Sequence, residues 1–571
     1  MQPCSSRIWQ ERPLKGEVDE QMTRHAGLSP FLAHLLAQRG VLSSEQVELF
    51  LNAGLGKMAD PRLMAGMTIA VERLSKAIAA GEKIAVHGDY DVDGISATAL
   101  LMLALRDFGA RVGYSIPLRQ RDGYGLCGAA IAQAAADGVR VIVSVDCGIN
   151  ACDEAELAAA NGIDLIITDH HQPGAKLPPA LCCLNPHRAD DRYPDKYLCG
   201  VGVAFMLVVA LRSHLRQHGL LGDKTPDIRY LLDLVCLGTI ADIVPLLGVN
   251  RLLVKAGLRL LNGTCRPGLA ALKQVAKVTE VSAGQVGYRL APRLNAAGRL
   301  EDAAQAVELL LCNDNAAATQ LARRLDACNS ERRTIEAQIQ KEATQRVADE
   351  LDDDAYTIVL ADERWHAGVI GIVASRLVEI YHRPVVLIAL GDDGGKGSAR
   401  SVRGFDLYRA FEHCAGHLRG YGGHKYAAGL TIATADVAAF AAAFEQYARK
   451  HISAKQRQGL LEYDAEVLLQ DVSDELLTEM KQLEPFGAGN PSVVLLCRGV
   501  HAQDVRVVGK KHLKFIVWQD GYSHPAIFFN SSERRSELDG KLDILFSAAM
   551  NNWNNRSTLQ LTIKDVRAAS D

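Results

Sequence analysis

From Val71 onward, short apolar runs flanked by charged residues or glycine alternate with longer stretches rich in Ala and Leu. Ile84–His87, Arg111–Ile116, Val139–Val145 and Ile163–Thr168 are predicted strands, and Ile95–Phe108, Gly128–Ala136 and Asp153–Ala160 are predicted helices. Tyr230–Leu237 reads as another buried helix. This alternation predicts a mostly parallel sheet, hence an α/β fold. Between Arg299 and Ala367 there is no glycine or proline, and Leu321, Leu325, Cys328, Ile335 and Ile339 recur at near-helical spacing. One or two long helices are expected there, bridging to a second α/β unit that begins at Thr357–Leu360, contains Pro384–Ala389 as a buried strand and turns glycine-rich from Gly391. After about Leu460 the runs shorten: Val493–Leu496, Val505–Val508, Lys514–Trp518, Ala526–Phe529, Ile544–Ser547 and Thr558–Ile563 predict a small β-barrel or sandwich. The expected domains are an N-terminal extension (1–70), a first α/β domain (71–300), connecting helices (301–354), a second α/β domain (355–455) and the β region (456–571).

Composition adds limits. A chain of 571 residues has room for about three to five domains. With 48% hydrophobic and 23% charged residues and no apolar span of membrane length, no membrane contact is expected. Met1–Arg7 does not lead into the apolar segment of a secretory signal, and thirteen cysteines without C-x-x-C pairs suit reduced thiols. These point to a cytoplasmic protein. The adjacent Cys182 and Cys183 read as packing residues. The net charge of −4 does not mark a nucleic-acid binder, but residues 491–571 hold 11 Lys/Arg against 8 Asp/Glu, a local +3. There Lys510, Lys511, Lys514, Arg534 and Arg535 interleave with Phe515, Trp518 and Phe528, the ingredients of a single-strand platform. A solvated β domain with core aromatics fits the same composition.

The densest chemistry lies in His87-Gly88-Asp89-Tyr90-Asp91-Val92-Asp93-Gly94. So many carboxylates repel one another unless cations neutralise them, so the segment calls for divalent metal. An EF-hand loop is excluded, because its twelfth position would be Leu100 rather than Glu and the preceding residues read as a strand. Asp146 follows the strand Val139–Val145, Asp169-His170-His171 follow Ile163–Thr168, and Asp242 ends Leu237–Asp242. A lone Asp at a strand end is usually a helix cap, but strand ends of a parallel sheet share one rim, and three in succession converge there. The ligands exceed what one ion needs, whereas two ions sharing a carboxylate would use them all. Imidazole and carboxylate without thiolate favour Mn²⁺ or Mg²⁺. Such a pair suits attack of water on a phosphoryl centre.

The segments around Asp91, Asp146, Asp169-His170-His171 and Asp242 resemble the ordered motifs of the DHH phosphoesterase superfamily. With Ala291–Arg299 (APRLNAAGR) and Gly420–Gly429 (GYGGHKYAAG), the resemblance extends over nearly the whole chain to the RecJ family of bacterial single-strand-specific exonucleases. It implies a DHH domain, a DHHA1-type domain and an OB-like barrel. It implies that His87, Asp91 and Asp146 hold one metal, that Asp93, Asp146, His170 and Asp242 hold the other, and that His171 faces the scissile phosphate or the leaving oxygen. Asp89 contacts a metal-bound water or orients His87, two alternatives left open. Leu294 stands where an isoleucine is common.

For substrate, Arg293, Asn295 and Arg299 form a polar cluster suited to phosphate oxygens, with a surface turn as the plain alternative. Gly395–Ser401 combines a flexible backbone, Lys396 and hydroxyls, a weak phosphate-loop signal. By resemblance, Ser398, Arg400 and His424 recognise a 5′-phosphate end. A narrow passage between the two α/β domains would admit only unpaired strands. The leading expectation is a metal-dependent 5′→3′ exonuclease for single-stranded DNA in repair and recombination. Its polarity, the choice of DNA and its partners, a single-strand-binding protein and a helicase, are implied by the resemblance alone. A monomer is expected because one chain can build the passage. A phosphodiesterase for short oligonucleotides or cyclic dinucleotides is the second reading, and leaves the β region without a role. A non-catalytic single-strand binder is the third, and has no use for clustered carboxylates.

Overall fold

The computed structural model describes residues 7–16, 27–118, 123, 125–221, 225–263, 266–553 and 556–569. Most of the Met1–Arg7 stretch, and Cys4 and Cys265 with it, lie outside the described residues. The chain forms two compact units, one of Glu11–Gly298, Asp302–Leu325 and Glu462–Asp571, the other of Met1–Gln10, Arg299–Glu301 and Asp326–Leu461. Among the described residues, no helix is long and apolar enough to cross a membrane.

The larger unit holds a five-stranded parallel sheet of β1 (Lys83–Gly88), β2 (Arg111–Ser115), β3 (Val139–Val145), β4 (Asp164–Thr168) and β5 (Cys182–Leu184), in the order β2-β1-β3-β4-β5. Both faces are covered, so the central strands read as continuous apolar runs. Val141, Val143 and Ile166 pack with Leu100, Leu207 and Leu234 of three helices, α1 (Val92–Asp107), α2 (Gly200–Gln217) and α3 (Leu232–Ala241). On the other face Ile142, Leu165 and Ile167 meet Ile131 and Ala158. Helix α1 starts ahead of its predicted Ile95 because Asp91 caps it, accepting bonds from Asp93 N at 2.9 Å and Gly94 N at 3.1 Å. Strand β5, which the pattern did not predict, is three residues long. Its Cys182 and Cys183 are buried in opposite cores, and burial pushes their thiols up to about 12 and about 11.

The same unit carries a closed barrel of Leu495–Val508, His512–Gln519, Tyr522–Phe528, Lys541–Trp553 and Arg556–Ala568. The predicted run Val505–Val508 and the last two residues of the run Val493–Leu496 belong to one strand, Leu495–Val508, interrupted by register shifts at Cys497/Val500 and Gln503/Arg506, with Asp504 at φ 55°. Such bulges break the two-residue alternation by which a strand is read. The aromatic platform needs correction: Phe515 and Phe528 fill the barrel core, and Arg534 is paired with Glu537 and Asp565. Trp518 and Tyr522 stay exposed. Helices Pro30–Gln38 and Ser44–Leu51 of the N-terminal region complete that core with Leu32, Leu35, Leu36, Val47 and Phe50. Buried Arg251 ties these parts together, donating to the carbonyls of Phe50 (2.8 Å), Leu483 (2.9 Å) and Glu484 (2.8 Å).

A 36-residue helix, Asn315–Glu350, belongs to the larger unit at its start and to the smaller one beyond. The smaller unit has a mixed sheet in which Val385–Gly391 runs parallel to Ile358–Asp362 and antiparallel to Gly394–Arg400, followed by Ala427–Ile432 and Gly420–Gly423. The glycine-rich segment expected to be a flexible loop is therefore a central strand. Glycine is needed there for space: a side chain at Gly395 would lie 2.5 Å from Ile388 Cγ2, and one at Gly397 2.7 Å from Leu430 Cδ1.

Candidate metal centre

In a sheet of order β2-β1-β3, the connections leave β1 and β3 in opposite directions and open a crevice at their carboxyl ends. Asp89 and Asp91 follow β1, and Asp146 follows β3. Three ligand sets, Asp89–Asp91–Asp146, Asp93–His170–Asp242 and Asp146–His170–His171, each have donor atoms within 4.8 Å of one another. His170 Nε2 is 3.1 Å from Asp146 Oδ1, 3.6 Å from Asp242 Oδ2 and 3.9 Å from Asp93 Oδ2. Asp146 thus joins the groups.

Local backbone fixes these directions. Asp146 sits at φ 61°, a left-handed conformation that a residue with a Cβ adopts at some cost, while its N–H donates to Thr168 O at 2.9 Å and so continues the sheet. Asp93 is fully buried, and its oxygens accept from Gly200 N at 2.6 Å and Val201 N at 2.8 Å, the N-terminus of α2. Close approach there demands glycine, since a side chain at Gly200 would lie 2.5 Å from Asp146 Cβ, and one at Gly238 2.6 Å from Asp93 Oδ1.

Burial and mutual repulsion push Asp93 up to about 7 and Asp242 up to about 9, and raise Asp146 well above the carboxylate range. Carboxyls crowded together in a buried site and raised in this way are suited to divalent cations, and the oxygen-and-imidazole donors match Mn²⁺ or Mg²⁺. Asp169, buried beside them, behaves oppositely. Burial opposes its charge, yet bonds from His171 and from backbone amides, including Ile149 N at 2.9 Å, hold it below the usual range. His171 Nδ1 lies 2.7 Å from Asp169 Oδ1; burial lowers the imidazole, but that bond and charge outweigh it and raise it to about 9.

His87 is not in any of the ligand sets found among the described residues; its Nδ1 is 2.9 Å from Ser115 Oγ and its Nε2 3.2 Å from Gly125 O, and Asp89 stands beside Asp91 and Asp146 instead. Arg293, Asn295 and Arg299 lie on a helix, Ala291–Leu300, rather than on a surface turn. Asn295 Oδ1 accepts from Val92 N at 3.1 Å, and a side chain at Gly298 would lie 2.5 Å from Tyr90 O, so this helix rests on the loop that carries Asp89 and Asp91. Arg293 donates to Arg289 O, and Arg299 to Gly368 O. In the smaller unit Arg400 donates to Ser398 Oγ at 3.2 Å. Both abut the first turn of helix Ile370–Tyr381, where a side chain at Gly371 would lie 2.7 Å from Ser398 Oγ. His424 is exposed in the turn after Gly420–Gly423, its N–H bonded to Ala427 O at 2.8 Å. Asp169, part of the Asp-His-His run, acts on the site through His171.

Family models match three stretches of the chain: the DHH family N-terminal domain at residues 83–239, the DHHA1 domain at 353–450 and the RecJ OB domain at 463–565. A relative from Dickeya dadantii is 40% identical over 94% of this chain and 96% of its own length, and one from Escherichia coli is 37% identical over 96% and 98%. Both bear the name single-stranded-DNA-specific exonuclease RecJ. Among solved structures, RecJ from Thermus thermophilus in complex with Mn²⁺ is 30% identical, with a TM-score of 0.83 over 99% of this chain and 80% of that one. The same protein with Mg²⁺ is similar at a TM-score of 0.76 and 28% identity, over 99% and 79%. With identity of this order along almost its whole length, the chain belongs to the RecJ family.

Proposed function

We propose that this protein is a metal-dependent exonuclease that hydrolyses single-stranded DNA from the 5′ end. The observation that carries this reading is the meeting of Asp89, Asp91, Asp93, Asp146, His170 and Asp242 at the crevice between β1 and β3. Asp89, Asp91 and Asp146 would hold one divalent ion, and Asp93, His170 and Asp242, with Asp146, the second. Bound there, Mn²⁺ or Mg²⁺ supplies charge neutralisation at the scissile phosphate. The amides of Gly200 and Val201 keep Asp93 in place. Asp169 orients the His171 ring, whose cationic form donates to the scissile phosphate or the leaving oxygen. His87 stands at the end of β1 beside this loop, its Nδ1 held by Ser115 Oγ.

Arg293, Asn295 and Arg299 support the strand beside the ion loop. Ser398, Arg400 and His424 recognise the 5′-phosphate, a role consistent with a guanidinium and a hydroxyl at a helix N-terminus. The barrel grips the strand through Trp518 and Tyr522, which remain exposed. Repair and recombination in the cytoplasm, action as a monomer, and supply of strands by a single-strand-binding protein and a helicase complete the reading.

End-labelled digestion tests it. Single strands should be degraded from the 5′ end with Mn²⁺ or Mg²⁺ and spared with chelator, while blunt duplex is resistant. Asp146→Ala should abolish cleavage yet still bind the strand. Equal degradation of duplex, or turnover by that variant, would overturn the assignment.

A further inference from the structure

Between Ser282 and the helix Ala291–Leu300 the chain makes a π-helical turn, Val286–Leu290. Such turns are rare and are found frequently at functional sites. Val286 and Leu290 are fully buried, while Tyr288 between them is 88% exposed. A folded chain has no packing reason to hold a large aromatic ring in solvent. The turn lies against α3, the helix that precedes Asp242, since a side chain at Gly287 would be 3.8 Å from Ile240 Cγ2. Immediately after Asp242, Ile243 is 74% exposed at φ 60°, a conformation that β-branched residues very rarely adopt.

The neighbouring Arg289 lines a cleft of about 520 Å³ within the larger unit. Its cations are Lys277, Lys481 and Arg289, its carboxylates Glu280 and Glu484, and its apolar walls include Phe486 and Met550, the latter on a barrel strand. The cleft therefore reaches from the barrel to the π turn. From there the helix carrying Arg293 and Asn295 continues to the loop of Asp89 and Asp91.

We propose that Tyr288 and this cleft form a nucleotide subsite between barrel and ion site. The Tyr288 ring stacks on an unpaired base, Ile243 supports the neighbouring base, and Arg289, Lys277 and Lys481 take the phosphates that follow. An exposed aromatic ring next in sequence to one cation of a cleft that holds two more fits unpaired polynucleotide better than an apolar peptide, because each repeating unit offers one flat base and one anion. Duplex buries its base faces and cannot stack on Tyr288, so the subsite contributes to discrimination against paired strands. The proposal rests on the exonuclease reading above.

Photocrosslinking tests it directly. Full-length protein in chelator is mixed with single strands carrying 5-iodouracil at successive positions, and crosslinked peptides are mapped. One or two adjacent positions should crosslink to Tyr288; binding without crosslinks there from any position would overturn the subsite. In a second arm, Tyr288→Ala should raise KM for long strands on the order of tenfold, while Tyr288→Trp restores it and Tyr288→Leu does not. A wild-type KM in Tyr288→Ala also overturns it. Failure of the wild-type protein to bind or cut single strands would instead refute the exonuclease reading.

Discussion

Gly200→Ala replaces one hydrogen by a methyl group in the first turn of α2, and its consequences can be worked out from the packing. The new Cβ would stand 2.5 Å from Asp146 Cβ, 2.7 Å from its Oδ1 and 2.8 Å from its Cγ. Ordinary contact begins near 3.4 Å, so the two must part by about 0.9 Å. Overpacking of this kind costs about 1–3 kcal/mol. Alanine in place of a helical glycine returns about 1 kcal/mol, so overall stability should fall by no more than about 2 kcal/mol. The reacting geometry is less tolerant, because a carboxylate displaced by about 1 Å costs on the order of 100-fold in rate. The assay compares kcat on single-stranded DNA at saturating Mn²⁺ with the melting temperature. Gly202→Ala serves as control, since its Cβ would approach Leu198 and not Asp146. A wild-type kcat and Mn²⁺ titration in Gly200→Ala would refute the close-packed account of Asp146.

The metal-free protein should lose stability as pH rises. Asp93 and Asp242 are raised to about 7 and about 9 in the fold, so between pH 4 and 9 the folded state binds more protons than the unfolded one; His171, raised to about 9, acts in the same direction from pH 6.5 upward. Melting in chelator should fall across that window and Mn²⁺ should recover more at pH 8 than at pH 6; equal recovery at both would count against the cluster as an ion site. Arg251→Ala leaves the carbonyls of Phe50 and Glu484 without their buried donor, while Leu483 O keeps only its bond from Asn490 Nδ2. Denaturant unfolding should show a loss of about 3–5 kcal/mol, and a change below about 1 kcal/mol would contradict its tying role. Arg400→Ala should narrow the preference for 5′-phosphorylated over 5′-hydroxyl strands in a competition digest, and an unchanged preference would remove Arg400 from end recognition.

The strands that carry the site were legible because β1, β3 and β4 are largely buried on both faces and read as short, mostly apolar runs. The acidic tips were legible because carboxylates directly after such runs must share a rim. What escaped the pattern had specific causes. The long barrel strand was split by bulges, and the three-residue β5 was too short to show a period. The strand Gly394–Arg400 looked like a loop because its glycines serve neighbouring side chains rather than turns. The helix of Arg293 and Asn295 was hidden by Pro292, Gly298 and the π turn before it. Asp169 went unassigned because its effect passes through His171, a relation visible only in three dimensions.

The central claim is that one carboxylate, Asp146, joins two groups of ligands around a pair of divalent ions. Crystals of the protein grown with Mn²⁺ and measured at the manganese absorption edge address it most directly. The account predicts two anomalous peaks roughly 3.5–4 Å apart, one against Asp89 and Asp91, the other against Asp93, His170 and Asp242, with Asp146 touching both. A single peak, or manganese bound away from Asp146, would contradict it.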